Sequence, residues 1–437
     1  MFESVIVDQN THWDGPLYSE GVPREALAKV KEYLDVPHII ALVGVRRSGK
    51  STLVRQVINH LIRDKGVQPR NILFLNLENP QFSRYRNDVS YLERVYEDYL
   101  KLVAPQGTVY CFLDEVHFFT EWQVFVKARY ETQQIKFIVT GSNSHLLSSE
   151  FITLLSGRAL PVEVYPFSFA EYACANGLEL ADAVAVTRER NRLRNLFDGY
   201  LCQGGFPETT SIKLSATQKE VLVMYARNIL YQDIAPRFAI KKAVELENMF
   251  FYLASNISSL YSFNKLAPLV GLNDKTVKEY MGYFSDAYLL FTLDLFAFSV
   301  KEQIKSAKKI YAIDTGMAGA VGFSFSENRG HLLENLVYLE LKRRGYELHY
   351  YKTANGHEVD FACSRKGKIT NLVQVVLDLG DDRTRNRELR ALVKALDETG
   401  LKSGEIVTYE EEGELNIDDK HIRLIPAFQY LLNMGAE

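Results

Sequence analysis

The chain is short of several things. Four cysteines in 437 residues, Cys111, Cys174, Cys202 and Cys363, lie far apart and make no metal-ligand spacing. They suit a reducing compartment and exclude a disulfide scaffold. Net charge is small: 51 basic against 55 acidic residues gives −4. No overall positive field recruits nucleic acid, so any such binding needs a local patch. Long apolar runs are also missing. The most membrane-like window, residues 283–300, contains Asp286 and Asp294 and reads as core, so no membrane partner is expected. The first residues, Met1-Phe2-Glu3-Ser4, offer neither a basic nor an apolar leader region, and a cytoplasmic location is expected. No repeat or low-complexity segment appears. What remains is an ordinary globular composition, 47% hydrophobic and 24% charged, long enough for two to four domains.

One stretch stands out: Gly44-Val45-Arg46-Arg47-Ser48-Gly49-Lys50-Ser51-Thr52. It completes G-x-x-x-x-G-K-[ST], a loop whose backbone N–H groups cradle phosphate oxygens. An apolar strand, residues 38–43, enters it. Leu53, Val57, Ile58, Leu61 and Ile62 then recur at helix spacing, so a helix N-terminus faces the same phosphates. Lys50 would reach the β- and γ-phosphates and Ser51 would ligate Mg²⁺. Downstream, the apolar strand 109–113 ends in Asp114-Glu115, the Walker B pattern. Asp114 would hold Mg²⁺ and Glu115 would activate the attacking water. A further strand ends in Thr140-Gly141-Ser142-Asn143, where Ser142 or Asn143 is a candidate sensor of the γ-phosphate. Arg158 follows; an arginine there can reach a γ-phosphate in its own subunit or, in a homo-oligomer, a neighbouring one, or else pair with a carboxylate as a structural residue.

The pattern along the chain predicts an α/β protein in four parts. Residues 1–166 form the first part: an entry segment to about 35, then strand and helix alternating over 36–166, implying a P-loop NTPase parallel sheet. Residues 167–244 turn helical and contain the break Gly204-Gly205-Phe206-Pro207 and an arginine-rich run, Arg188 to Arg194. Residues 245–320 suggest a winged helix: a short helix near 263–270, a second one capped by Asn273, and a basic tip or wing at 301–309. DNA contact through recognition helix and wing is one reading and a protein-contact module is the other. Residues 321–437 return to α/β. Glu334 on a helix, Asp360 on a strand and Gln374 on the next outline a restriction-endonuclease-like core. Active sites of that kind need a lysine two residues after the third position. Val376 stands there, which speaks against cleavage unless a lysine such as Lys352 or Lys368 serves instead.

The chain resembles a bacterial and archaeal AAA-type P-loop ATPase family with a C-terminal domain of unknown function. The resemblance rests on residues 44–51, on Leu113-Asp114-Glu115-Val116-His117 followed by Trp122, on Thr140-Gly141-Ser142, and on Leu155-Ser156-Gly157-Arg158. It continues through Val164-Tyr165-Pro166-Phe167-Ser168, Gly204-Gly205-Phe206-Pro207, Lys309-Ile310-Tyr311 with Asp314, and Glu358-Val359-Asp360-Phe361. It implies ATP as the nucleotide and a role for Arg158 in sensing or completing a nucleotide site. Many members carry Glu-x-Lys where this chain has Gln374-Val375-Val376, a departure that weakens the nuclease reading. Two functional classes stand: an ATP-hydrolysing switch or remodeller acting on a protein partner, and an ATP-gated DNA-binding protein or nuclease.

Overall fold

A computed structural model describes residues 2–132, 134–142, 157–180, 182–297, 299–322 and 329–433. The chain divides into two compact units, Met1–Tyr165 and Pro166–Glu437. The expected boundaries at 244 and 320 fall inside the second.

The first unit is a parallel sheet flanked by helices. Its elements are α1 (Glu3–Gln9), α2 (Ala26–Leu34), β1 (Ile39–Val43), α3 (Lys50–Arg63), β2 (Ile72–Asn76), α4 (Ser90–Val103), β3 (Val109–Asp114), α5 (Trp122–Thr132), β4 (Ile135–Gly141) and β5 (Ala159–Glu163). The strand order is β2-β3-β4-β1-β5, all parallel. Each of β1 and β4 is buried along its whole length, as expected for strands covered on both faces. Helix α3 sets Leu53, Val54, Val57, Ile58 and Leu61 into a core shared with Ile40, Leu42, Phe112 and Ile138. Burying each such side chain stabilises by roughly 1.5–3 kcal/mol. Because β4 lies between β1 and β3, the C-terminal ends of all three strands meet at one edge.

The second unit starts with helices, among them α6 (Phe169–Ala175), α7 (Arg190–Gln203), α8 (Ser215–Asn228) and α9 (Ala243–Ala254). The arginine-rich run is a solvated, ion-paired surface: Arg190 pairs with Glu412, Arg192 with Glu189 and Arg194 with Glu410. A small sheet follows, β6 (Leu260–Tyr261), β7 (Leu290–Leu293) and β8 (Lys308–Ala312), ordered β6-β8-β7. Helices α10 (Phe263–Leu269) and α11 (Asp274–Asp286) accompany it, and Asn273 caps α11 by accepting from Thr276 N at 2.9 Å.

The basic tip expected at 301–309 is part helix and part strand. Residues Val300–Lys305 form a helix, and Lys308 and Lys309 belong to β8. Lys309 is 3% exposed. The strand is buried from Lys309 to Ala312, and three carboxylates hold the lysine there, so it cannot serve a DNA backbone. That takes Lys309 out of any DNA contact through a wing, whereas Lys301 and Lys305, in the connection between antiparallel β7 and β8, are exposed.

Beyond α12 (Thr315–Val321) and α13 (Arg329–Arg343) lies a six-stranded sheet. Its strands are β9 (Glu347–Lys352), β10 (Glu358–Arg365), β11 (Lys368–Val375), β12 (Ser403–Thr408), β13 (Gly413–Ile417) and β14 (Lys420–Pro426). Helix α14 (Asp382–Thr399) connects β11 to β12, and α15 (Ala427–Leu431) ends the described chain. The order is β13-β14-β12-β11-β10-β9; β9, β10 and β11 are antiparallel, while β12 runs parallel to β11 and to β14. Val376 packs in the core beneath α14 with Leu372, Leu392 and Ile406.

Gly204-Gly205 and Asp314, 109 residues apart, form one joint. Asp314 caps α12, its Oδ1 accepting from Met317 N and its Oδ2 from Gly205 N, both at 2.7 Å. Gly204 has φ 77°, and a Cβ there would lie 2.1 Å from Asp314 Oδ1; a Cβ on Gly316 would lie 2.0 Å from Gln203 O. Only glycine permits this approach.

Candidate nucleotide-binding site

The phosphate loop leaves β1 at Gly44 and ends at α3. Gly44 passes so close to β5 that a Cβ would lie 2.1 Å from Val164 O. The Lys50 side chain is buried, with Nζ donating to Gly44 O at 3.0 Å and Val45 O at 3.2 Å. Ser51 Oγ donates to Asp114 Oδ2 at 2.8 Å. Val45, Arg46, Arg47, Ser48, Gly49 and Thr52 complete the loop and the first turn of α3.

Sequence reasoning missed what organises the carboxylates. Thr140, one strand over on β4, donates from Oγ1 to Asp114 Oδ1 at 2.6 Å and accepts from Glu115 N at 2.9 Å. Glu115 itself has φ 57°, unusual for a non-glycine residue, so the chain turns sharply where β3 ends. Its Oε1 lies 3.9 Å from Lys50 Nζ and its Oε2 3.2 Å from His117 Nδ1. Burial alone would push the Glu115 carboxyl up. The charges of Lys50, His117 and Arg46 and the His117 contact outweigh burial and hold it at about 2. Asp114 is raised, by burial first and by the Glu115 charge next, against hydrogen bonds from Thr140 and Ser51.

Arg24, also missed, braces the loop from behind. Its NH1 donates to Ser48 O at 2.6 Å and its NH2 to Tyr165 O at 2.7 Å. Gln56 on α3 accepts from Arg24 N at 3.2 Å. Backbone carbonyls are its targets, and they leave no side-chain signature to read.

Ser142 follows Gly141, which pairs with Val43 at the root of the loop, and is buried. Asn143 lies outside the described residues. Arg158 is not brought to this site. Its carbonyl accepts from Ile39 N at the opposite end of β1, and its side chain pairs with Glu131 at 2.9 Å and lies over the Tyr130 ring. Five strand residues at about 3.3 Å each separate it from the loop, roughly 16 Å. Reach to the γ-phosphate of its own subunit is therefore excluded.

The donor set fits a magnesium nucleotide. Ser51 and Asp114 present adjacent hard oxygens, the kind Mg²⁺ takes. Ser48 Oγ is buried without a hydrogen-bond partner among the described residues, a polar atom that a phosphate would satisfy.

Fold and site together define a P-loop domain of AAA type. Residues 36–173 match the AAA domain family, and residues 194–328 and 329–430 match two domains of unknown function, DUF8612 and DUF4143. The uncharacterized protein MJ1544 of Methanocaldococcus jannaschii is 33% identical over 417 residues, covering 91% of this chain and 89% of that protein. An uncharacterized protein of Haemophilus influenzae is 28% identical over 361 residues, covering 82% and 86%. The chain belongs to the family of AAA-domain proteins that includes the archaeal relative. Among solved structures, the ORC1 protein of Aeropyrum pernix in complex with DNA is 11% identical with a TM-score of 0.29, over 72% of this chain and 96% of that one. AMPPCP-bound DnaA of Aquifex aeolicus is 15% identical with a TM-score of 0.28, over 62% and 90%. Likeness that low says nothing of function. Among the described residues, no helix is long and apolar enough to cross a membrane.

Proposed function

We propose that the protein is an ATP-hydrolysing molecular switch, in which turnover at the P-loop changes what the second unit holds. The contact that carries this reading is the chain Ser51–Asp114–Thr140–Glu115, which joins the expected metal-holding and water-activating groups by hydrogen bonds. Backbone N–H groups of residues 44–52 would bind the phosphates, and Lys50 would move from the loop carbonyls to the β- and γ-oxygens. Mg²⁺, when bound by Ser51 and Asp114, would offset phosphate charge. Glu115, ionised across the working pH range, would accept a proton from water at Oε2. Ser142, next to the residue paired with Val43, would report the γ-phosphate. Arg158 would act only on a neighbouring copy, where an arginine speeds turnover by about 10³–10⁵.

Calorimetry and turnover assays test this. Lys50→Ala should lose ATP binding and Glu115→Gln should bind without turning over. Equal ATP affinity in wild type and Lys50→Ala would sink the proposal. For Arg158, mixing Arg158→Ala with Glu115→Gln protein should restore turnover at mixed interfaces. Unchanged kcat in Arg158→Ala alone would return the residue to its pair with Glu131. The Glu115→Gln protein, holding ATP, is also the form in which to capture a protein partner.

A second reading, an ATP-gated nuclease, draws on one observation. Glu334, Asp360 and a lysine, Lys309, do converge, and Gln374 Oε1 accepts from Asp360 N. Neither Lys352 nor Lys368 fills that place. The lysine is fully engaged by carboxylates, which favours the switch.

A further inference from the structure

The six-stranded sheet has two differently used faces. Leu372, Ile406 and Ile422 turn toward α14, so Asn371, Glu405 and Arg423, one residue away on the same strands, turn to the other side. There, past the end of α13, lies a cavity of about 500 Å³. Its size is that of a small-ligand site. Its lining is polar, which selects against apolar ligands.

Three guanidinium groups reach it from three elements: Arg344 just after α13, Arg365 at the end of β10 and Arg423 on β14. Two lie over aromatic rings, Arg344 at 4.5 Å from the centre of Tyr430 and Arg365 at 4.7 Å from the centre of Tyr346. A ring contact restrains a guanidinium and leaves whichever N–H groups are not otherwise engaged for oxygen acceptors. Glu405 is the carboxylate of the lining, and both its oxygens are taken, by Asn371 Nδ2 at 2.7 Å and by Arg423. Arg344 donates from Nε to Glu340 at 2.9 Å and from its NH2 to the Tyr430 carbonyl, so it contributes chiefly charge. Arg365, exposed, makes no salt bridge among the described residues. Three fixed cations therefore meet two carboxylates, and the surplus sits at Arg365. Around them Thr370, Ser403, His421 and Asn433 offer hydroxyl, imidazole and amide groups.

We propose that this cavity binds a small phosphorylated, hydroxyl-rich molecule the size of a mononucleotide. Arg365 takes the phosphate as a planar double donor, helped by the Arg423 edge and the Arg344 charge. The neutral polar groups take sugar hydroxyls. The site lies in the second unit and does not depend on the P-loop reading.

The test uses the full chain carrying Lys50→Ala, so that nucleotide at the P-loop contributes nothing. Ribose 5-phosphate, AMP and inorganic phosphate are titrated by calorimetry against that protein and against versions with Arg365→Gln or Thr370→Trp added. Arg365 and Thr370 are exposed, so neither change threatens the fold. Binding of ribose 5-phosphate or AMP that weakens about tenfold or more in Arg365→Gln, and falls when Thr370→Trp narrows the cavity, supports the site. Equal affinity in all versions overturns it, as does no binding at about 5 mM of any probe. A single-stranded oligonucleotide that binds through Arg365 while the small phosphates do not would overturn it in favour of a nucleic-acid backbone.

Discussion

Lys309 Nζ lies 2.8 Å from Asp360 Oδ1, and Glu358 and Glu334 approach the same nitrogen at 2.9 and 3.0 Å. Tyr311 donates to Glu334 from within the core at 2.7 Å. The ammonium is raised above its ordinary pKa because the three carboxylates outweigh its burial. A lysine in that state carries no base for water. Single- and double-stranded DNA incubated with the protein, Mg²⁺ or Mn²⁺ and ATP should stay intact. Cleavage that vanishes in Asp360→Ala would promote the nuclease reading. Removing the lysine leaves buried carboxylates uncompensated, so Lys309→Met should cost about 3–5 kcal/mol in denaturant unfolding.

Thr140→Val keeps the shape of the side chain and deletes both of its hydrogen bonds. Asp114 and Glu115 then lose the group that sets their spacing. A displacement on the order of 1 Å costs about 10²-fold in rate. The expected result is a large fall in kcat with ATP affinity little changed, measured by steady-state turnover and calorimetry. An unaltered kcat would mean that strand geometry alone positions the carboxylates.

Arg24 positions the loop without touching its ligand. Arg24→Met should weaken ATP binding by about tenfold, or 1.4 kcal/mol. Arg24→Lys can reach only one of the two carbonyls and should fall between. If the residue merely stabilised the unit, melting temperature would drop while affinity of the folded fraction stayed constant.

Asp314 provides a pH dependence of defined sign. Burial pushes its carboxyl up to about 6 against the hydrogen bonds from Gly205, Met317 and Gly316. The folded state thus binds this proton more tightly than the unfolded chain. Stability from this group is highest below the ordinary aspartate range and is lost as pH rises to about 6, a change on the order of 3 kcal/mol. Asp314→Asn should flatten that part of the urea-midpoint profile. It should also lower the profile by about 1–3 kcal/mol, because an amide offers one acceptor oxygen where the carboxylate offers two.

The P-loop domain was legible because its chemistry needs fixed residues at fixed spacing, and because apolar strands leading into Gly44 and into Asp114 can hardly be anything else. Thr140 was only half legible: its motif was visible, but the hydrogen bonds depend on β4 lying between β1 and β3. Lys309 was misread. A run of four lysines in nine residues, 301–309, looks like solvated surface, whereas β8 is a covered strand that buries one of them. Its acidic partners come from 25 and 51 residues away. Arg158 could be placed after a strand but not at the far edge of the sheet, since that edge follows from strand direction.

The joint at Gly204, Gly205 and Asp314 bears on how such sequences diverge. A side chain cannot enter at 204 while the carboxylate stays, and a side chain at 316 collides with the end of α7. Positions more than a hundred residues apart are therefore free to change only together. Across an alignment of relatives they should covary as a single character, with the glycines present wherever the aspartate is and relaxed wherever it has been replaced.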